Sequence, residues 1–198
     1  MSTRNSNNTY PYASDADSDR LHQEELEMQI GDAEEEADIP SLEKIFLVDK
    51  KEDILKVTNP SRWNRLHRLL LTPRPDYAPV ASVNFYIRHG VPVNAQDCYK
   101  NTPLLYATRA QNVAAARALL EAGAGPNIPN IENITPLAYI SGMPQELELL
   151  QLMLDKGADV NFFTGHHGIL EGIKKYRSND PRFKAVIEMM EKYDKRSS

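Results

Sequence analysis

Cysteine is nearly missing from these 198 residues. Cys98 stands alone, so no internal disulfide can form and a reducing compartment is the natural setting. Long apolar runs are missing too: no window approaches the ~18 continuous apolar residues that a membrane span requires. The first residues carry neither the basic start nor the apolar core of a secretion leader. There is no glycine-rich phosphate loop, no G-x-S-x-G elbow and no dinucleotide fingerprint. The histidines, His22, His67, His89, His166 and His167, include one adjacent pair, and adjacent side chains do not share a helix face. No Cys/His or Asp/Glu set has zinc or calcium spacing, and Cys98 has no base near it in sequence. These absences argue against a secreted disulfide scaffold, a membrane protein, a metalloprotein and a nucleotide-dependent enzyme. No catalytic residue, metal or cofactor is expected, and residence in the cytoplasm or nucleus is.

Charge is present but lopsided. Residues 1–39 hold 11 Asp/Glu against two Arg, a net of −9 in a chain whose total is −5. Residues 40–117 carry 12 Lys/Arg against 6 Asp/Glu, a net of +6. The acidic stretch has few large apolar side chains and cannot bury enough surface to offset its conformational entropy. A disordered acidic tail over 1–39 is therefore expected, with a transient helix over 21–36 where Leu21, Leu26 and Ile30 are nearly in helical register. A fold-back of this tail onto the basic part of the chain is a further electrostatic expectation. Six excess cations spread over 44–117 make a poor nucleic-acid site, with the acidic tail competing for them. Solvated helix faces explain them better.

From Pro40 the composition changes. Ser41 is placed as an N-cap, Leu42, Ile45 and Phe46 fall on one helical face, and Ile54, Leu55 and Val57 supply more apolar surface before Asn59-Pro60. A helix over 41–58 is predicted, inside an N-terminal helical cap at 40–61. Beyond it the chain repeats. Thr102-Pro103-Leu104 recurs as Thr135-Pro136-Leu137, Gly90, Gly123 and Gly157 end apolar helical runs, and Asn94, Asn127 and Asn161 keep the same spacing of 33 to 34. Each motif residue has a physical role. Threonine caps a helix whose N1 is proline, and glycine takes the left-handed C′ position that ends the second helix.

A unit of about this length with T-P-L, two short helices, L-L-x-x-G-A and an Asn resembles an ankyrin repeat. Residues 97–129, DCYKNTPLLYATRAQNVAAARALLEAGAGPNIP, and 130–162, NIENITPLAYISGMPQELELLQLMLDKGADVNF, carry the resemblance most fully. Residues 62–96 keep Leu66-His67 but lack the Thr-Pro and carry an insertion, TPRPDYAP. Residues 163–198 keep the helix spacing without T-P-L and read as a polar-faced C-terminal cap. The resemblance implies an all-α solenoid of about four units, with His67 making a structural hydrogen bond between repeats.

The same resemblance implies function: a non-enzymatic monomer that binds a protein partner through the turn tips and the concave face formed by each unit's first helix. Mapped onto this sequence, the partner-binding candidates are Tyr99, Asn101, Arg109, Ile131, Glu132, Met143 and Phe163, chosen because aromatic, Arg and exposed apolar groups dominate interface energetics. An adaptor, scaffold or inhibitor is the leading reading. A substrate-recognition subunit of a ubiquitin ligase and an inhibitor of a transcription factor are its alternatives, and nothing in the sequence names the partner.

Overall fold

The computed structural model describes residues 15–71 and 78–194, with side chains from residue 17 onward. Helices α1 (Asp15–Glu35) and α2 (Ile39–Glu43) come first, and a π-helical turn, Lys44–Val48, extends α2. Four helix pairs follow: α3 (Arg65–Leu71) with α4 (Val80–Arg88), α5 (Pro103–Arg109) with α6 (Val113–Glu121), α7 (Pro136–Ile140) with α8 (Leu147–Asp155), and α9 (Ile169–Arg177) with α10 (Lys184–Glu191). The first helices stack as one row, α3 on α5 on α7, and the second helices as another, α4 on α6 on α8 on α10. No strand is present among the described residues, which form an all-α solenoid.

The repeat motifs act as the sequence predicts. Gly90, Gly123 and Gly157 have φ of +80°, +90° and +88°, a region where a Cβ is strained. Leu104, Ala107, Leu119 and Leu120 are fully buried, as are Leu137, Ile140 and Leu149 in the next unit. Thr102 accepts a hydrogen bond from the Leu105 N–H at 3.2 Å and so caps α5. Thr135 departs from this pattern. It occupies the N-cap of α7 but makes no side-chain cap bond, and its buried Oγ1 has no partner among the described residues.

Two expectations for the N-terminal part are corrected. Over Asp15–Glu35 the chain is a 21-residue helix rather than disordered; residues 1–14 lie outside those described. Composition underestimated this segment because Ile30 and Ala33 are only 1% and 5% exposed, with Leu26 packed beside them. Those few apolar residues share one face. The acidic groups find non-local partners: Glu27 contacts Arg65 at 3.0 Å and Arg68 at 2.8 Å, and the backbone carbonyl of Glu34 accepts from the Ser82 hydroxyl at 2.7 Å. The fold-back of acidic chain onto the basic first unit is thus realised as a packed helix.

The predicted helix over 41–58 stops at Val48, and the chain from Asp49 to Asn64 is irregular. Leu42, Ile45 and Phe46 are buried as expected, but Leu55 and Val57 stay exposed. The N-cap is Asp38, not Ser41. The Asp38 carboxylate accepts from both the backbone N–H and the hydroxyl of Ser41.

Electrostatics of the docked helix follow from burial. Burial opposes ionisation of Glu27, yet hydrogen bonds from Arg65 and Arg68 and their charges outweigh it and hold the carboxyl below its usual range. Glu34, facing the Tyr86 hydroxyl with little solvent, is pushed above that range by burial. Arg65 is itself buried, lies over the Phe46 ring and also reaches Glu52 at 3.5 Å.

Removing Glu27 leaves buried Arg65 with only the longer contact to Glu52 and takes away the carboxylate that pairs with Arg68. Charges left short of a partner away from water are costly. Glu27→Ala is expected to destabilise the fold by about 2–4 kcal/mol in urea unfolding, whereas Glu35→Gln on the exposed face of α1 stays within about 0.5 kcal/mol. Equal effects would mean α1 is not docked. A second comparison tests the caps: Thr102→Val loses about 1 kcal/mol, while Thr135→Val, which removes an unpaired buried hydroxyl, is neutral or stabilising.

Candidate partner-binding surface

The turn tips between units are built by two Asx side chains one repeat apart. Asp97 Oδ1 accepts from the N–H groups of Tyr99 and Asn101, both at 2.8 Å. Asn130 Oδ1 accepts from those of Glu132 and Ile134, both at 3.0 Å. In each tip one non-glycine residue takes a left-handed conformation, Lys100 at φ +59° and Asn133 at φ +59°. The tips are tied to one another. The Cys98 N–H donates to the Ser61 carbonyl at 2.9 Å, the Ile131 N–H to the Tyr99 carbonyl at 3.0 Å, and Asn133 Nδ2 to the Phe163 carbonyl at 2.7 Å.

This wiring positions the sequence candidates unequally. Tyr99, Ile131 and Phe163 are 57%, 57% and 58% exposed on successive tips, and Arg109 and Glu132 are exposed as well. Phe162 instead packs against the core. Two candidates are corrected by burial. Asn101, 6% exposed, spends its polar atoms internally: its side chain bonds Asp97 and Asn130, and its carbonyl accepts from His67. Met143, 8% exposed, belongs to the core, because the α7–α8 connection turns it inward. Asp97 and Asn130, which shape the tips, were not among the candidates. Their signal was in the sequence: two Asx residues at the 33-residue repeat spacing, each opening a turn.

Ionisation fits this structural role. Burial opposes ionisation of Asp97, but hydrogen bonds from Tyr106, Asn101 and Tyr99 prevail and lower its pKa. Tyr106, which donates to Asp97 Oδ2 at 2.7 Å, is pushed up to about 12, by burial first and then by the carboxylate. His67 is fully buried on α3, with Nε2 3.1 Å from the Asn101 carbonyl; as the carbonyl accepts, Nε2 carries the proton. This is the bond between repeats that the resemblance implied. Burial depresses the His67 pKa despite that bond. Among the described residues no group of three His, Cys, Asp or Glu is placed to hold a metal ion, and no helix is long and apolar enough to cross a membrane.

Helix pairs stacked in two rows, with tip-to-tip hydrogen bonds at a fixed repeat spacing, define a helical repeat array, a class that buries its core only by stacking neighbours. Residues 77–164 match the family model of ankyrin repeats (3 copies). That part of the chain is an ankyrin-repeat array, a protein–protein interaction module. A comparison with curated proteins finds no match.

Because the folded state disfavours His67 protonation, its contribution is fully present above the unfolded histidine value of about 6.5 and is lost as pH falls through the lower folded value. Stability should therefore drop as pH falls below about 6.5, and that part of the dependence should vanish in His67→Gln. An unchanged pH slope in the variant would remove His67 from the account.

Proposed function

We propose that this chain is a non-enzymatic adaptor, scaffold or inhibitor that grips one protein partner with its tips and inner helices. The observation that carries the reading is the row Tyr99, Ile131 and Phe163. These are large apolar groups left more than half exposed on consecutive tips and held in a row by hydrogen bonds to the Tyr99 and Phe163 carbonyls. Exposed apolar groups on a rigid framework cost little ordering entropy when a partner covers them, and such residues account for most binding energy at interfaces. Arg109 and Glu132 supply polar contacts at the edge. The units at 62–96, 97–129 and 130–162, with caps on either side, are the proposed organisation.

The ubiquitin-ligase receptor reading has one observation in its favour. Leu47, Val48, Leu55 and Val57 are exposed in the segment after α2, where a receptor of this kind would recruit its ligase while the tips hold substrate.

The test is quantitative cross-linking and pull-down with the full chain and with a Tyr99→Ala, Ile131→Ala, Phe163→Ala variant, helicity being checked by circular dichroism. Each anchor is expected to contribute about 1–2 kcal/mol, so the folded triple variant should bind its partner at least about 100-fold more weakly. Partners retained at parental affinity would move the binding surface off the tips.

A further inference from the structure

The units at 97–129 and 130–162 carry the same motif residues but not the same local bonds. In the first of them side chains cap both helices: Thr102 accepts from the Leu105 N–H at 3.2 Å and Asn112 from the Ala115 N–H at 3.0 Å. Asp97 also ties the tip to α5, because its Oδ2 accepts from the Tyr106 hydroxyl at 2.7 Å. Asn112 donates further to the Ala78 carbonyl at 3.1 Å, which fastens the α5–α6 connection to the preceding unit. The next unit is held differently. Thr135 and Glu146 stand at the N-caps of α7 and α8 without a side-chain cap bond. The Thr135 hydroxyl is buried with no partner among the described residues. Asn130 spends its side chain on Glu132, Ile134 and Asn101, so none of those bonds reaches α7.

Packing separates the two first helices as well. α5 packs on α3, α6 and α7, whereas α7 packs on α5 and α8, and α9 adds no packing of like extent. α7 spans five residues against seven in α5. The chain behind it is longer too: eleven positions separate Thr135 from Glu146, and ten separate Thr102 from Asn112. α8 itself is firmly held. Its Leu149, Leu150, Met153 and Leu154 are buried, and α6 and α10 pack against it. A segment opens locally where capping bonds and buried contacts are fewest, and a short helix has little cooperative hydrogen bonding to resist. Those conditions meet at α7.

We propose that α7 and the connection at 141–146 form an adaptable strap in the array, opening while α5, α6 and α8 stay packed. Opening brings Ile140 and Met143, both buried in the closed arrangement, to solvent. The tip before the strap stays in place, because the Ile131 N–H is bonded to the Tyr99 carbonyl and the Asn130 side chain to Asn101. The array thus combines a fixed row of tips with one inner helix whose conformation adjusts, and it reshapes its inner face there without unstacking. This goes beyond the proposed binding role of the tips and does not rest on it, since the opening belongs to the free chain.

Two measurements on the full chain test this. Hydrogen exchange in native buffer, followed by mass spectrometry, reads the opening of each helix. Relative to intrinsic rates, 136–143 is expected to exchange at least about 10-fold faster than 103–110 and 147–155. Stripping the caps from the better-held unit with Thr102→Val and Asn112→Ala should speed 103–112 by at least about 5-fold and leave 147–155 unchanged. The second measurement is thiol labelling in a Cys98→Ser background. Met143→Cys is compared with Ala118→Cys, because the two sites are equally 8% exposed and Ala118 lies in α6. The first is expected to react with an aromatic disulfide reagent at least about 10-fold faster than the second, circular dichroism showing both variants folded. Equal exchange of 103–110 and 136–143 would overturn the inference. So would exchange of 147–155 in step with 136–143, which means the whole unit opens, an α5 indifferent to the loss of its caps, or equal labelling of the two thiols. The exchange comparison needs no substitution, so it decides the matter even where a variant fails to fold.

Discussion

Each unit of this array is held to the next by one asparagine. Asn94 accepts from the Gly125 N–H at 2.8 Å and donates to the Gly123 carbonyl, and Asn127 repeats the pair with the Asp159 N–H and the Gly157 carbonyl. The carbonyls it satisfies belong to the glycines at positive φ that end the second helices. Those groups have no intrahelical partner of their own. A side chain from the preceding unit thus completes the end of the following helix, so a unit is not fully satisfied until its neighbour is present. The His67–Asn101 bond and the tip-to-tip bonds do the same work on the other edge. Stacking therefore sets the spacing of the tips and, with it, the geometry of the surface they present.

The two ends of the array solve the same problem differently. At the C-terminal end Asn161 reaches the Asp194 side chain of the capping unit in place of a glycine carbonyl, while Gln151 and Asp155 engage the Tyr193 hydroxyl. At the N-terminal end α1 and α2 take the place of another helix pair. They bring carboxylates to buried and half-buried arginines as well as Ile30, Ala33, Leu42 and Phe46 to the core. The acidic character that made this stretch read as a tail is what neutralises Arg65 and Arg68.

Much of the fold was legible because its signals are local and recur. Thr-Pro-Leu, the terminal glycines and the bridging asparagines each act within a few residues, and agreement among them at one spacing gave the period. The candidate site was legible in part. Tyr99, Ile131 and Phe163 stand out as apolar residues at positions that face solvent in the repeat pattern. Asn101 sits in the same tip, yet the same inspection could not tell it apart. Its burial depends on Asp97, His67 and Asn130, and two of these come from neighbouring units.

The residues alone determined the repeat length, the helix ends, the left-handed turns and the all-α class, because these follow from backbone preferences and short-range capping. Tertiary structure decided the rest. It drew residues 15–35 into the array, left the Thr135 hydroxyl without a partner among the described residues and turned Met143 inward. Each of these outcomes depends on a group far away in sequence or in an adjacent unit. The cost of leaving a charge or a polar atom unpaired is set by burial, and burial exists only once the units are stacked.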